Sequence, residues 1–65
     1  MKVKTWKQLL ADPRVAKVWT ENNDGVDYWV ELNSGYNYDG QTCIHEWSKI
    51  DCITKLNGVV SGYSY

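Results

Sequence analysis

Residues 15–33 read VAKVWTENNDGVDYWVELN, and this stretch decides the fold. Positions 26–33 alternate apolar and polar side chains, which is typical of a strand with one buried face. The segment 22–25, Asn-Asn-Asp-Gly, supplies turn chemistry because Gly25 adopts a positive φ at little cost. The stretch therefore predicts a β-hairpin with strands at 15–21 and 26–33.

The alternation in the second strand assigns its side chains to two faces. The expected core face comprises Val26, Tyr28, Val30 and Leu32. Trp29 falls on the other face, between the carboxylates of Asp27 and Glu31. A tryptophan is an unusual residue for a face that only meets water. Either this second face binds a partner, or its acidic residues only solvate the outer side of the sheet and discourage edge pairing. We expect the first.

Two tight turns are expected after the hairpin, at Ser34-Gly35 and at Asp39-Gly40. Between and after them, residues 36–38 and 42–46 have strand character. These segments predict a third strand that is bulged or broken near the second turn. The sheet is then a three-stranded antiparallel meander.

A short helix is expected before the hairpin, at residues 5–11, with Thr5 as its N-cap. Pro13 ends it, because the residue before a proline is disfavoured in helical conformation. Helical spacing gives this helix an apolar face of Val3, Trp6 and Leu10, with Leu9 beside them.

A second helix is expected to begin at Ser48, with Asp51 completing a capping box. Asn57-Gly58 ends it in a left-handed cap. Residues 59–65 then form a tail that is either frayed or docked through Tyr63 and Tyr65. The predicted apolar stripe consists of Ile50, Ile53, Leu56 and Val60.

This element order predicts one α+β domain over residues 1–65, with a short N-terminal helix, a meander sheet and a C-terminal helix packed on one sheet face. The chain has 65 residues, 43% of them hydrophobic and 14% aromatic. This length excludes doubly wound and barrel enzymes. A core this small also favours a homodimer, which would cover surface that the monomer cannot bury.

The beginning of the chain, Met1-Lys2-Val3-Lys4, lacks the apolar segment of a secretory leader. No apolar run approaches the ~20 residues that span a membrane. We therefore expect a protein of the cytoplasm that does not bind membranes. Its cysteines, Cys43 and Cys52, are then expected to stay mostly reduced.

Charge is distributed unevenly along the chain. No basic residue occurs between Lys17 and Lys49, whereas six of the eight acidic residues lie in that gap. A phosphate backbone would be repelled by this region, which argues against direct nucleic-acid binding by the sheet. A basic protein surface fits better, since charges steer association and aromatic side chains anchor it. The expected partner-binding residues are Asp27, Trp29, Glu31, Tyr36, Tyr38 and Asp39.

Cysteine and histidine offer the chain's other candidate chemistry. Cys43, His45 and Cys52 could supply soft ligands, but their spacing matches no zinc pattern. A cysteine nucleophile with a histidine base is equally unsupported, because no oxyanion hole or substrate pocket is evident. We expect Cys52 to be a small core residue and His45-Glu46 to hold the start of the second helix. The sequence predicts no enzyme, no metal and no cofactor.

Several segments resemble small orphan proteins encoded by phages and prophages: TWKQLLADPRV at 5–15, YWVEL at 28–32, Gly35-Tyr36 and TCIHE at 42–46. Some proteins of this kind are anti-CRISPR or other anti-defence inhibitors. The resemblance implies a stoichiometric blocker of a host defence complex that acts in the host cytoplasm. It assigns no functional residue, because such inhibitors share a strategy rather than a motif.

Two alternatives remain at the level of the sequence. A homo-oligomer could sequester a small signalling nucleotide, stacking the base on Trp29 or a tyrosine while the N-terminal basic residues hold the phosphates. A virion assembly protein would instead associate with itself, without a host partner.

Overall fold

The computed structural model describes residues 2–61; Met1, Tyr63 and Tyr65, and with them the expected docking of the tail, lie outside this range. Two helices accompany two antiparallel sheets, so the α+β prediction is confirmed. The elements in chain order are α1 (Trp6–Leu10), β1 (Val15–Asn22), β2 (Val26–Leu32), β3 (Tyr36–Asn37), β4 (Cys43–Glu46), α2 (Lys49–Leu56) and β5 (Val60–Ser61).

The main sheet has the order β1-β2-β4, with β2 at its centre. The hairpin closes over three residues, where Asp24 and Gly25 have φ angles of 54° and 131°. This turn sets a register in which Trp19 pairs with Trp29 and Val18 with Val30. On the other side of β2, the register continues with His45 opposite Trp29.

The third strand of the meander is broken at Asp39-Gly40, as predicted. Both residues have positive φ, 50° and 79°, as a two-residue hairpin turn of type I′ requires. Tyr38 and Gln41 flank this turn and exchange two backbone hydrogen bonds of 2.8 and 2.9 Å. The preceding segment, β3, does not join the main sheet, since it pairs with β5 from the end of the chain.

The hydrophobic core lies between the main sheet and the two helices. Alternation along each strand turns Val30 and Ile44 toward the helices, where both are almost fully buried. The largest fully buried side chains are Leu9, Val30, Ile44, Cys52 and Leu56. Cys52 is thus a core residue, as predicted.

The first helix is capped as the sequence predicts, but a different side chain enters the core. The Thr5 hydroxyl accepts a hydrogen bond from the Gln8 backbone N–H, and the Gln8 side chain accepts one from the Thr5 N–H. Leu9 is fully buried, whereas Leu10 is 53% exposed. The prediction for Leu10 was wrong because α1 is only one and a half turns long, so a small rotation selects the neighbouring residue.

The second helix follows Ser48, whose hydroxyl accepts a hydrogen bond from the Asp51 N–H. Its predicted stripe was wrong at both ends, because Ile50 is 63% exposed and Val60 lies in β5. Cys52 takes the core position instead, one turn before Leu56. The predicted left-handed cap is also absent, since Asn57 has a φ of −66° and Gly58 does not have a positive φ either.

The side chain of Asn57 joins the end of α2 to the start of the chain. Its carbonyl oxygen accepts a hydrogen bond of 2.8 Å from the Val3 N–H, and its amide donates one of 2.8 Å to the Val3 carbonyl. The pair satisfies a backbone donor and acceptor outside regular structure. Val3 is thereby held in the core, with 6% of its surface exposed.

The adjacent leucines of α1 provide a matched test of the core. We expect Leu9→Ala to lower the free energy of unfolding by about 3 kcal/mol, because it leaves a cavity. Leu10→Ala should change it by less than about 0.5 kcal/mol, since that side chain is largely in water. Urea unfolding measures both, and Leu9→Val provides a milder substitution if Leu9→Ala does not fold. Equal effects at the two positions would contradict this packing.

Candidate functional site

One face of the main sheet has neither of the two helices of residues 2–61 packed on it, and we call it the open face. The same alternation that buries Val30 and Ile44 places the intervening side chains on this side. Asp27, Trp29 and Glu31 share it, as predicted. The open face comprises Lys17, Trp19 and Glu21 from β1, Asp27, Trp29 and Glu31 from β2, and Cys43 and His45 from β4.

An aromatic row, Trp19–Trp29–His45–Trp47, extends across the open face. The Trp19 and Trp29 rings are parallel within 2° with centroids 5.7 Å apart, and Trp29 and His45 stack at 4.1 Å and 15°. Trp47 closes the row, tilted by 57° at 5.0 Å from His45. Cross-strand aromatic pairs of this kind stabilise a sheet locally. They also concentrate the side chains most frequent at binding hot spots.

The sequence-based site missed three members of this row. Trp19 could have been found, because the hairpin turn alone pairs it with Trp29. His45 was assigned a different task, holding the start of α2; the structure instead places its ring against Trp29. Nothing local pairs His45 with Trp29, since their strands are separated by residues 33–42.

The central ring of the row is not available as a stacking platform. Trp29 lies on the middle strand, with the parallel Trp19 ring on one side and the His45 ring on the other. Both faces of its indole are therefore occupied. A nucleobase has no free Trp29 face to stack on, which removes one support for the nucleotide-binding alternative.

Two buried nitrogen atoms of the row lack a hydrogen-bond partner among residues 2–61: Nε1 of Trp29 and Nε2 of His45. His45 Nε2 lies 3.5 Å from Oδ1 of Asp27, which is an ion-pair distance without hydrogen-bond geometry. Buried donors are normally paired. A rotation of the Asp27 carboxylate would bring it into hydrogen-bond geometry with His45 Nε2.

Exposure along the row increases toward one end. Trp19, Trp29 and His45 are half-buried, whereas Trp47 is 69% exposed. Ile50, in the first turn of α2, is 63% exposed. An exposed tryptophan ring at the end of this row is apolar surface that a partner can cover. Trp47 is therefore the best anchor on this side of the molecule.

The open face is acidic. It carries Glu21, Asp27 and Glu31 against the single cation Lys17, whose Nζ lies 5.2 Å from the centre of the Trp19 ring. The free lysines Lys2 and Lys4 belong to the N-terminal segment, before the helix layer. The acidic character of the sequence between Lys17 and Lys49 is thus retained on the open face.

Two acidic residues outside the open face are neutralised by ion pairs. Both Asp12 carboxylate oxygens accept hydrogen bonds of 2.8 Å from the Arg14 guanidinium, which lowers the pKa of Asp12. Glu46, on the helix side of β4, pairs with Lys55 and raises the pKa of that ammonium. Of the remaining acidic residues, three lie on the open face, Asp24 and Asp39 lie in turns, and Asp51 lies on α2.

The other expected site residues lie away from Trp29. Tyr36 and Tyr38 pack against the hydrophobic core, because the break at Asp39-Gly40 takes their segment out of the main sheet. Asp39 is exposed in that turn. The six residues expected to form one surface are therefore divided between the open face and the turn region.

A groove of about 530 Å³ runs along the outer side of β4. Tyr38 and Lys55 line it from the helix side, and Trp29 and His45 line it from the open face. Ile44 and Cys43 contribute its wall. The groove thus connects the turn region to the aromatic row around the edge of the sheet.

The two cysteines are free thiols on different sides of the main sheet. Cys43 is half-buried beside Glu31, and burial together with that carboxylate raises the pKa of its thiol. Burial raises the pKa of Cys52 to about 11. Within the described part of the chain, no three cysteine, histidine or carboxylate side chains are grouped to hold a metal ion.

Comparisons with protein-family models, with curated proteins and with solved structures found no match to this chain. The site is therefore interpreted from its own geometry. Among residues 2–61, no helix has both the length and the apolar character needed to cross a membrane.

The contact between Glu31 and Cys43 can be tested by thiol labelling. At pH 8, we expect a neutral maleimide to modify Cys43 in the folded protein and Cys52 only in urea, because the thiolate is the reactive form and Cys52 is buried with a pKa of about 11. Glu31→Gln should accelerate labelling of Cys43 about twofold, since it removes a charge that disfavours the thiolate.

Glu21→Gln is the matched control, because it removes the same charge two strands from Cys43. Peptide mapping by mass spectrometry identifies the modified residue. Faster labelling of Cys52 than of Cys43 in the folded protein would contradict the arrangement.

Proposed function

We propose that this chain is a non-enzymatic inhibitor of the anti-defence type, which docks its open face on a basic surface of a larger host protein and blocks nucleic-acid binding there. The observation that carries the proposal is the aromatic row, surrounded by carboxylates on a sheet face without a helix cover. The site is centred on Trp29 and Trp47.

The composition of the open face supports a protein partner. Interface hot spots are rich in tryptophan, and they are surrounded by polar groups that exclude water. Trp47 offers an exposed ring, and Glu21, Asp27 and Glu31 supply the surrounding charge. A surface with this arrangement attracts lysine and arginine side chains over distances of about 10 Å at moderate salt.

The same charge supports interference with nucleic-acid binding. A groove that holds a phosphate backbone is lined with lysine and arginine. The carboxylates of Asp27 and Glu31 can occupy such cations in place of phosphates, while the aromatic row supplies apolar contact. Occupation alone prevents the nucleic acid from binding, so the proposal needs no reaction.

Binding to the partner is tested by capture from a bacterial lysate at about 50 mM and about 500 mM salt. We expect a nucleic-acid-binding protein to be retained at low salt and released at high salt. The purified partner should lose its nucleic acid when this chain is added. Trp47→Ala should weaken binding to that partner by about tenfold or more, because it removes the exposed anchor.

Two control variants distinguish the site from general effects. Leu10→Ala shortens another exposed apolar side chain, on the helix side, and should leave the affinity unchanged. Glu31→Lys should slow association, whereas Asp51→Lys makes the same charge change on the exposed side of α2. If Trp47→Ala and Glu31→Lys bind as the unchanged chain does, the open face is not the interface and the proposal is wrong.

A further inference from the structure

The outer edge of β4 has backbone groups that the main sheet does not use. The Leu32 N–H donates to the Thr42 carbonyl at 2.9 Å, so this is a hydrogen-bonded pair of the β2–β4 ladder. Such pairs alternate along antiparallel strands. The N–H and C=O groups of Cys43 and His45 therefore point away from β2, to the outer edge.

The chain begins to cover this edge and then leaves it. Gln41, just before β4, exchanges two backbone hydrogen bonds with Tyr38 across the hairpin turn. If the hairpin continued, the residues before Tyr38 would pair with Cys43 and His45. They pair with β5 instead, and the groove of about 530 Å³ lies along the edge that remains.

The opposite edge of the sheet is protected in the usual way. Strand β1 is irregular between Val15 and Lys17, and Lys17 places a charge on that strand. Bulges and lysines are known means of preventing strand addition at an edge. Strand β4 has neither among its residues Cys43–Glu46, so the two edges differ in their capacity to accept a strand.

The side chains around this edge indicate which types of residue an added strand would have on each side of the sheet. On the helix side, the Tyr38 ring lines this edge beside the buried Ile44, which favours an aliphatic residue. On the open face, Cys43 is small and lies directly beside Glu31. A lysine opposite Cys43 can reach across it to the Glu31 carboxylate, and one opposite His45 lies near Asp27.

We propose that an extended segment of the partner protein, with alternating basic and aliphatic residues, adds antiparallel to β4 as a fourth strand of the main sheet. This deepens the proposed function and rests on it for the identity of the partner. The antiparallel direction continues the pairing made at Tyr38 and Gln41. Basic residues then lie opposite Cys43 and His45, and an aliphatic residue lies opposite Ile44.

The probe is a synthetic peptide, TKVKVKT, with acetylated and amidated ends. Its binding is followed by nuclear magnetic resonance and by amide hydrogen exchange of the whole chain. We expect exchange at the Cys43 and His45 amides to slow when the peptide is present, because these N–H groups gain acceptors. The Ile44 amide should change least, since it already faces β2. The acidic peptide TEVEVET should not bind.

Backbone methylation separates strand addition from charge attraction. In the antiparallel arrangement, the lysine N–H groups point to β4 and the valine N–H groups point to solvent. Methylation of the backbone nitrogens of the lysine residues should weaken binding about tenfold or more. Methylation of the backbone nitrogens of the valine residues should change binding less than about twofold. Both peptides carry the same charge, so equal affinities would overturn the proposal.

Substitutions in the chain test the open-face contact. Glu31→Lys should weaken peptide binding about fivefold at low salt, and Asp51→Lys, with the same charge change on α2, should have less than about a twofold effect. If the valine-methylated peptide is the one that fails to bind, the antiparallel pairing is overturned. If TKVKVKT binds without protecting Cys43 and His45, strand addition is overturned.

The peptide experiment can overturn strand addition without overturning the proposed function, and the reverse is also true. Partner capture that depends on Trp47 but is accompanied by no peptide protection at Cys43 and His45 overturns only the edge site. Peptide protection at these amides without any partner that depends on Trp47 overturns the open-face inhibitor and leaves strand addition standing. Self-association through the β4 edge, seen as protection at Cys43 and His45 that rises with chain concentration, assigns the edge to a second copy and overturns the partner segment.

Discussion

The pairing of Trp29 with Trp19 and His45 is the constraint on which the rest of the molecule depends. It fixes the register of all three strands, and one step along the chain it places Val30 between Val18 and Ile44 in the core. A shift of one residue would move the tryptophan into the core and the valine into water. The same register therefore determines which side chains form the core and which form the candidate site.

Local chemistry made much of the fold predictable. The turn at residues 22–25, the caps at Thr5 and Ser48, and the break at Asp39-Gly40 each depend on a few neighbouring residues. The errors in the candidate site occurred where distant segments decide. Pairing of β3 with β5 removes Tyr36 and Tyr38 from the expected surface, and only long-range pairing brings His45 to Trp29. Asp27, Trp29 and Glu31 were found together because they share one strand.

The distribution of charge follows from the same architecture. Alternation places Glu46 on the helix side, where Lys55 neutralises it, whereas Glu31 remains on the open face beside a cysteine. The stretch without basic residues between Lys17 and Lys49 therefore suggests a more acidic sheet than the structure has. It describes the open face of the sheet well. The lysines before α1, Lys2 and Lys4, take part in none of the ion pairs among residues 2–61.

The diversion of β3 explains why an open face and an open edge occur together. A continued hairpin from Tyr38 would have covered the edge of β4 and closed the groove. Because β3 pairs with β5 instead, no strand among residues 2–61 covers either of them next to His45. A partner on the open face thus meets the backbone donors of β4 at the border of the same surface. In this proposal the aromatic row supplies apolar contact. The edge of β4 aligns the partner segment, because backbone hydrogen bonds fix how an added strand pairs with it. A chain of 65 residues can in this way combine broad contact with specific pairing without a large core.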